Sequence, residues 1–300
     1  MGATWTDLLD PDRDALERAA PRDLHPRALD MLLAPAEHDD EPRPTLEGHV
    51  DYVFGVLLVP APEPGEDATY YQEIDLVLTR EAVVTARKTP PGHDPFDVSP
   101  LREAARDESS GMIAYRLANA VAEAYLDLVD ALNDEIDELE DKVEEWPPER
   151  VRARLSALRH DLLHVRQTLS PTRDAVRRVI DNRIDTQGVE LFSRDLELHF
   201  ADAYDKLLRA SEGLELARDL IAGVRDYHQA KVANDQNEVV KRLTVIASVL
   251  LLPTFIVGLY GQNLRGVPEF RWSFGYWWSW GLIVVTTVAQ IVYFKRKKWI

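Results

Sequence analysis

Two uncharged runs near the C-terminus restrict this chain more than any other feature. Leu243 to Leu264 contains no Asp, Glu, Lys or Arg, and neither does Trp272 to Phe294. At 1.5 Å per residue each run makes a helix of about 33–35 Å, enough to cross a hydrocarbon core of ~30 Å. Two such runs in succession fit poorly inside a soluble core. The pattern therefore predicts two transmembrane helices, over about residues 243–262 and 274–294.

Basic residues flank the runs on one side. Lys241 and Arg242 precede the first, and Lys295, Arg296, Lys297 and Lys298 follow the second. The connecting segment holds a weaker, mixed set of Arg265, Glu269 and Arg271. The excess of Lys and Arg on cytoplasmic sides predicts both termini inside and a short external loop. Trp272, Tyr276, Trp277, Trp278 and Trp280 suit the outer interface, and Tyr293 and Trp299 the inner one. Two helices per chain cannot enclose a pore, so a channel needs several chains around an axis. The first span is the better lining element. It carries Thr244, Ser248, Thr254 and a terminal Asn263, whereas the second has Thr286, Thr287 and Gln290 among bulky apolar residues.

The mean hydropathy of -0.27 hides the division between an acidic first 240 residues and a C-terminal segment nearly free of acid. The net charge is -17, which argues against nucleic acid as a partner, since phosphate binding needs clustered Lys and Arg. Cysteine is absent, which excludes disulfides, thiolate metal sites and cysteine catalysis. Met1 to Asp14 is polar and acidic, so no cleavable signal peptide is expected.

The acidic region opens with Trp5 to Asp10, then Pro11-Asp12-Arg13-Asp14, a helix-start signature before Ala15–Ala20. A second short helix is predicted over His25–Leu33, and a loop over Pro35–Pro44. Val50–Val59, Tyr71–Leu78 and Ala82–Ala86 read as strands, being rich in Val, Leu, Tyr and Phe between turn-forming stretches. Pro90–Pro100 reads as another loop. From Ser110 to Glu145 the apolar positions take helical spacing, and Pro147-Pro148 ends that helix. A second long helix is predicted over about Glu149–Arg183, with a kink near Pro171, and a third from near Glu190 into the first membrane span. Helices of this length need neighbours, which implies a bundle or funnel.

The helix Glu123–Glu145 is strongly acidic, with Lys142 the one lysine set against it; it reads as a cation-attracting surface or as a plain solvated face. His160 and His164 stand one turn apart and are expected on an exposed polar face rather than on a transition metal. No phosphate loop or nucleophile motif occurs, so no enzyme activity is expected.

Pro253-Thr254-Phe255-Ile256-Val257-Gly258-Leu259-Tyr260-Gly261-Gln262-Asn263 resembles the end of the first transmembrane helix in the CorA family of magnesium channels. So do Val267-Pro268-Glu269-Phe270-Arg271-Trp272, Gly275-Tyr276 and Tyr293-Phe294-Lys295-Arg296-Lys297-Lys298-Trp299. Trp5-Thr6-Asp7-Leu8-Leu9 and Asp51-Tyr52-Val53-Phe54 carry a weaker likeness upstream. The family's Gly-Met-Asn becomes Gly261-Gln262-Asn263 here. The resemblance implies that Asn263, with Gly261 and Gln262, holds a hydrated ion at the external mouth, with Glu269 in the external loop. Mg2+ gives up its water reluctantly, and a ring of neutral amides can bind that shell without stripping it. Mg2+ is the implied ion, with Co2+, Ni2+ or Zn2+ as alternatives; Zn2+ corresponds to the related ZntB branch, where transport could be proton-coupled. A non-conducting membrane anchor or sensor is the reading from another class.

Steps of three and four residues back from Thr254 give Leu251, Ala247, Thr244, Val240 and Asn237, a heptad-like stripe predicted to line the pore. Asn237 would form a polar ring at the cytosolic entrance, and Leu251 and Val240 apolar constrictions. The resemblance further implies a homopentamer in the inner (plasma) membrane, gated by intracellular divalent cation bound at acidic residues between subunits. Asp202 and Asp226 on the long helix are the candidates for that regulatory metal. The expected fold is thus an α+β membrane protein. It has a cytosolic α/β domain (1–105), a funnel of long cytosolic helices (106–240) and a transmembrane domain (241–300).

Overall fold

The computed structural model describes the chain except for residues 1, 22–23, 37–40, 63–68, 185, 187–190, 263–270 and 300. It divides into two compact units, Met1–Val224 and Arg225–Ile300. The elements of the first are β1 (Thr4–Leu9), α1 (Arg13–Ala19), α2 (Pro26–Leu33), β2 (Thr45–Gly48), β3 (Val53–Pro62), β4 (Thr69–Leu78), β5 (Ala82–Lys88), α3 (Ser99–Ala104), α4 (Ser110–Lys142) and α5 (Pro148–Ile180). Helix α6 (Arg194–Gly261) begins in the first unit and ends in the second, which also holds α7 (Gly275–Arg296).

The strands form one sheet in the order β1-β5-β4-β3-β2. β1 runs parallel to β5, and the other pairs are antiparallel. Both sheet faces are covered. Phe54, Val56, Val77, Val84 and Ala86 pack with Leu16 of α1 and Ala28 and Leu32 of α2. Val53, Leu57, Ile74, Leu76 and Val83 join the core made with α4, α5 and α6. Strands buried on both faces lose the apolar–polar alternation, so β3 and β4 read as near-continuous apolar runs. Gly55 is dictated by this packing, because a Cβ there would lie 2.5 Å from Leu46 Cδ2 of β2.

The strands expected over Val50–Val59, Tyr71–Leu78 and Ala82–Ala86 exist with shifted ends. β1 and β2 fall in stretches that the sequence reading left without a strand. β1 is held by a polar chain rather than by an apolar pattern. Trp5 Nε1 donates to Thr85 Oγ1 (3.0 Å), and that hydroxyl donates to Asp7 Oδ1 (2.8 Å). Arg87 grips both Asp7 oxygens through Nε and donates from Nη2 to Oδ2 (2.7 Å). An Asp in mid-strand lowers a strand expectation, yet here it fixes the edge strand through a forked charge-assisted contact.

Helix starts follow local chemistry. Asp12 caps α1 by accepting from Ala15 N (2.8 Å), and Ser109 caps α4 by accepting from Met112 N. Ile113, Leu117, Val121, Tyr125, Val129, Leu132, Ile136 and Leu139 of α4 are buried at helical spacing, and Leu128 packs against them half-buried. α5 continues through Pro171, and α6 through Pro253. In the first unit α6 buries Phe200, Ala203, Leu207, Ala210, Leu214, Ala217 and Ile221, alternating steps of three and four.

Two expectations about charge need correction. The acidic α4 face draws counter-ions from neighbouring helices and not from Lys142 alone. Arg154 of α5 contacts Glu135 (2.6 Å), and Lys206 of α6 contacts Glu123 (2.9 Å). His164 does not sit on a simple exposed face. Its Nε2 lies 3.1 Å from Glu41, and its ring meets Tyr71 edge-on at 4.8 Å, because α5 packs over the sheet at that level. Among the described residues no cluster of three or more His, Asp or Glu is arranged to hold a metal.

Candidate functional site

The second unit contains the stretch of α6 that carries most of the expected pore residues. Helices α6 and α7 each include an apolar segment long enough to cross a bilayer, and little of either segment is buried within the chain. Gln290 Nε2 of α7 donates to the Ser248 carbonyl of α6 at 3.2 Å, the polar tie between the two. Val245 and Ile256 are buried, and Ser248, Val249, Leu252, Pro253 and Tyr260 are half-buried. These residues occupy one side of α6.

The predicted stripe lies outside that face. Asn237, Val240, Thr244, Ala247, Leu251 and Thr254 are all exposed; in a helix turning once per 3.6 residues Ala247 and Thr254 stand opposite the Val245–Ile256 face, with Val240 and Leu251 beside them, and Asn237 and Thr244 flank it at about a quarter turn. Gly258 continues the stripe one turn further with open space where a Cβ would stand, so bare backbone is presented there. Gly258 was not included in the predicted stripe; its step of four from Thr254 was the missed signal.

The exposed surface of this segment is not uniform. Leu243, Ile246, Leu250, Phe255, Val257 and Leu259 make a large apolar surface of the kind that lipid tails or another helix accept. The stripe instead sets the amide of Asn237, the hydroxyls of Thr244 and Thr254 and the small Ala247 between two apolar residues, Val240 and Leu251. Thr244 Oγ1 donates to the Val240 carbonyl (2.8 Å), and Thr254 Oγ1 to the Leu250 carbonyl (2.7 Å). With its proton committed to the backbone, each hydroxyl offers oxygen lone pairs outward, which suits contact with a cation's water shell.

At the N-terminal end of this segment Asn237 borders a cleft with Lys241, Arg242 and Lys298. Arg242 Nη2 donates to Glu238 Oε1 (2.7 Å), and Phe294 stacks on Trp299 at 5.7 Å. At its C-terminal end α6 stops at Gly261, and Gln262 N makes a long contact of 3.4 Å to the Leu259 carbonyl. Asn263 and Glu269 lie outside the described residues.

The two regulatory candidates belong to different units. Asp202 is in the first unit, 3.3 Å from Lys206, which also contacts Glu123 (2.9 Å) and donates to Asn119 (2.8 Å). Asp226 belongs to the second unit and pairs at 3.3 Å with Arg225. Both carboxylates are mostly exposed. The sequence reading placed Asp202 but missed Lys206, its counter-ion one turn along the helix.

Comparison with known proteins follows the same layout. The family described as CorA-like Mg2+ transporter protein matches residues 1–296. The cobalt/magnesium transport protein CorA of Thermotoga maritima is 30% identical over 284 residues, spanning 92% of this chain and 77% of that protein. A putative metal ion transporter of Bacillus subtilis is 28% identical over 309 residues, spanning 98% of this chain and 89% of that one. The structure of the CorA magnesium transporter from Methanocaldococcus jannaschii superposes with a TM-score of 0.77 at 19% identity, covering 99% of this chain and 91% of that one. Its likeness bears out the expected arrangement of α/β region, long helix and two C-terminal apolar helices.

Proposed function

This chain belongs to the CorA-like Mg2+ transporter family, divalent metal transporters and not enzymes, and on that premise we propose that it conducts Mg2+ through a homopentameric pore. The observation that carries the proposal is the exposed stripe on α6, which lies outside its buried face, sets polar and small residues between Val240 and Leu251, and leads to Gly261 and Gln262. Five copies meeting along that stripe enclose a path lined by Asn237, Val240, Thr244, Ala247, Leu251 and Thr254. The apolar surface of α6 and α7 then faces lipid and neighbouring helices. The segments 1–105, 106–240 and 241–300 act as cytosolic domain, funnel and membrane domain, with both termini cytoplasmic and the pore in the plasma membrane.

In this reading Gly261, Gln262 and Asn263 form the external mouth, and Glu269 adds negative charge beside it. Amide oxygens take the hydrated ion by hydrogen bonds to its water, so entry costs no dehydration. Rings of Leu251 and Val240 close the path by excluding water when the pore narrows. Intracellular Mg2+ at Asp202 and Asp226 stabilises the closed state by binding it more tightly than the open one. Co2+ and Ni2+ are further cargo.

A second reading rests on Gln262, which stands where the family's motif has methionine. An additional amide at the mouth can favour Zn2+, with a proton gradient as the driving force. Flux into proteoliposomes separates the two. Mg2+ entry driven by membrane potential alone is expected, with Asn263→Ala abolishing it. Zn2+ entry without Mg2+ entry, or a requirement for a pH gradient, would overturn the Mg2+ reading, and unchanged flux in Asn263→Ala would remove the mouth assignment.

A further inference from the structure

The first unit holds a cleft of about 570 Å³ between α2, β2 and α5, apart from the residues discussed for ion passage. Arg27 of α2, Arg43 ahead of β2 and Arg178 of α5 all line it, brought together from three separate parts of the chain. All three side chains are exposed at its rim. Among the described residues none of these guanidinium groups closes an ion pair with a carboxylate. Arg178 makes a 3.5 Å contact from Nη1 to the Leu46 carbonyl. In a chain of net charge -17, three arginines at one opening against two carboxylates, Glu47 and Asp174, are a distinct feature.

The histidines beside them add donors. His25 Nδ1 accepts from Arg27 N at 3.2 Å, which leaves Nε2 as the nitrogen carrying the proton. His49, also on the wall, stacks on Tyr52 with ring centres 4.5 Å apart. The inner wall is apolar, formed by Ala28, Pro44, Phe54 and Ala175. A bare inorganic anion would satisfy the rim and leave that wall wet. The volume is within the roughly 300–1,000 Å³ of small-molecule sites, and an apolar wall with a few convergent polar groups is their usual make-up.

We propose that this cleft binds an organic phosphate of nucleotide size, its phosphates held by Arg27, Arg43 and Arg178 and its organic part on the Phe54 wall. Guanidinium matches phosphate oxygens two at a time, which a lysine ammonium does not. Glu47 and Asp174 also line the cleft. They would repel a bare polyanion and tolerate one whose charge is partly neutralised by Mg2+.

The test is calorimetric titration of the full-length, detergent-purified protein with Mg·ATP, with free Mg2+ held constant in cell and syringe. Parallel titrations use tripolyphosphate and inorganic phosphate. Saturable Mg·ATP binding is expected, with tripolyphosphate weaker and inorganic phosphate weaker still. Arg178→Gln and Arg43→Gln should each weaken Mg·ATP by about tenfold, the loss expected for one charge-assisted contact. Arg178→Lys should retain part of the affinity. Unchanged thermal melting of these surface variants establishes that they fold. Absence of saturable Mg·ATP binding at millimolar concentration, or affinity equal to the parent's in both Gln variants, would overturn the site. Tripolyphosphate binding as tightly as Mg·ATP would overturn the role of the apolar wall and with it the organic-phosphate assignment.

Discussion

Lys88 shows how much chemistry a single buried residue carries in this fold. Its Nζ lies 2.5 Å from Glu73 Oε1 and 2.7 Å from Asp75 Oδ2, and it donates to the Met31 carbonyl at 2.6 Å. All three charged side chains are buried, on adjacent strands β4 and β5. Two carboxylates share one ammonium, so the site cannot be fully neutralised with both ionised. Burial, then the neighbouring Glu73 charge, pushes the Asp75 carboxyl well above its ordinary 3.8, and the nearby Lys88 only partly offsets this. Because the folded pKa is the higher one, the native state holds more protons than the unfolded chain once pH rises past 3.8, and Asp75 subtracts stability as pH climbs toward its folded value. Asp75→Asn removes that loss. It should gain on the order of 1 kcal/mol at neutral pH, about 2–4 °C in melting temperature, with the gain vanishing toward pH 4. A variant that melts lower than the parent at neutral pH would contradict this. None of this was legible in the sequence, because period-2 reading assigns Asp, Glu and Lys to solvent. The same blindness concealed β1, whose Asp7 is bound by Arg87.

At the scale of elements, long periodic segments were readable and short edge strands were not. α4 and α5 lie where apolar spacing and Pro147-Pro148 put them, and both apolar runs became helix. β2 is four residues, too short for alternation to register, and exists because Leu46 fills the space left by Gly55. The stripe on α6 follows from helical geometry alone, but its exposure does not. That depends on which side α7 covers, through Ser248, Val245 and Ile256. The proposed constriction belongs to this scale. Leu251→Ser replaces an apolar ring by a wettable one and should raise Mg2+ flux severalfold under high internal Mg2+, where the parent is shut. Proteoliposomes preloaded with Mg2+ measure it, and parental flux in that variant would remove Leu251 as the gate.

For the molecule as a whole, charge and assembly govern. Among the long helices the acidic excess is concentrated in α4, where Lys206 and Arg154 neutralise only part of it. Bound Mg2+ would relieve repulsion that these residues leave. Millimolar Mg2+ should therefore slow proteolysis of the helices in the assembled protein, and Asp202→Ala should require a severalfold higher concentration for equal protection. Cleavage that ignores Mg2+ in the parent would exclude metal-linked closure of the funnel.

Hydropathy, basic flanks and helical period are properties of local sequence, and they determined the two apolar spans, their expected orientation, the long helices and the stripe on α6. The physical reason is that bilayer thickness and the 3.6-residue turn impose their signatures residue by residue. Tertiary structure alone decided the rest: that Asp7, Glu73, Asp75 and Lys88 are buried or half-buried and paired, that His164 meets Glu41, and that three arginines distant in sequence share one cleft. Such features depend on which backbone segments the sheet and helices bring side by side, and no local pattern encodes that choice.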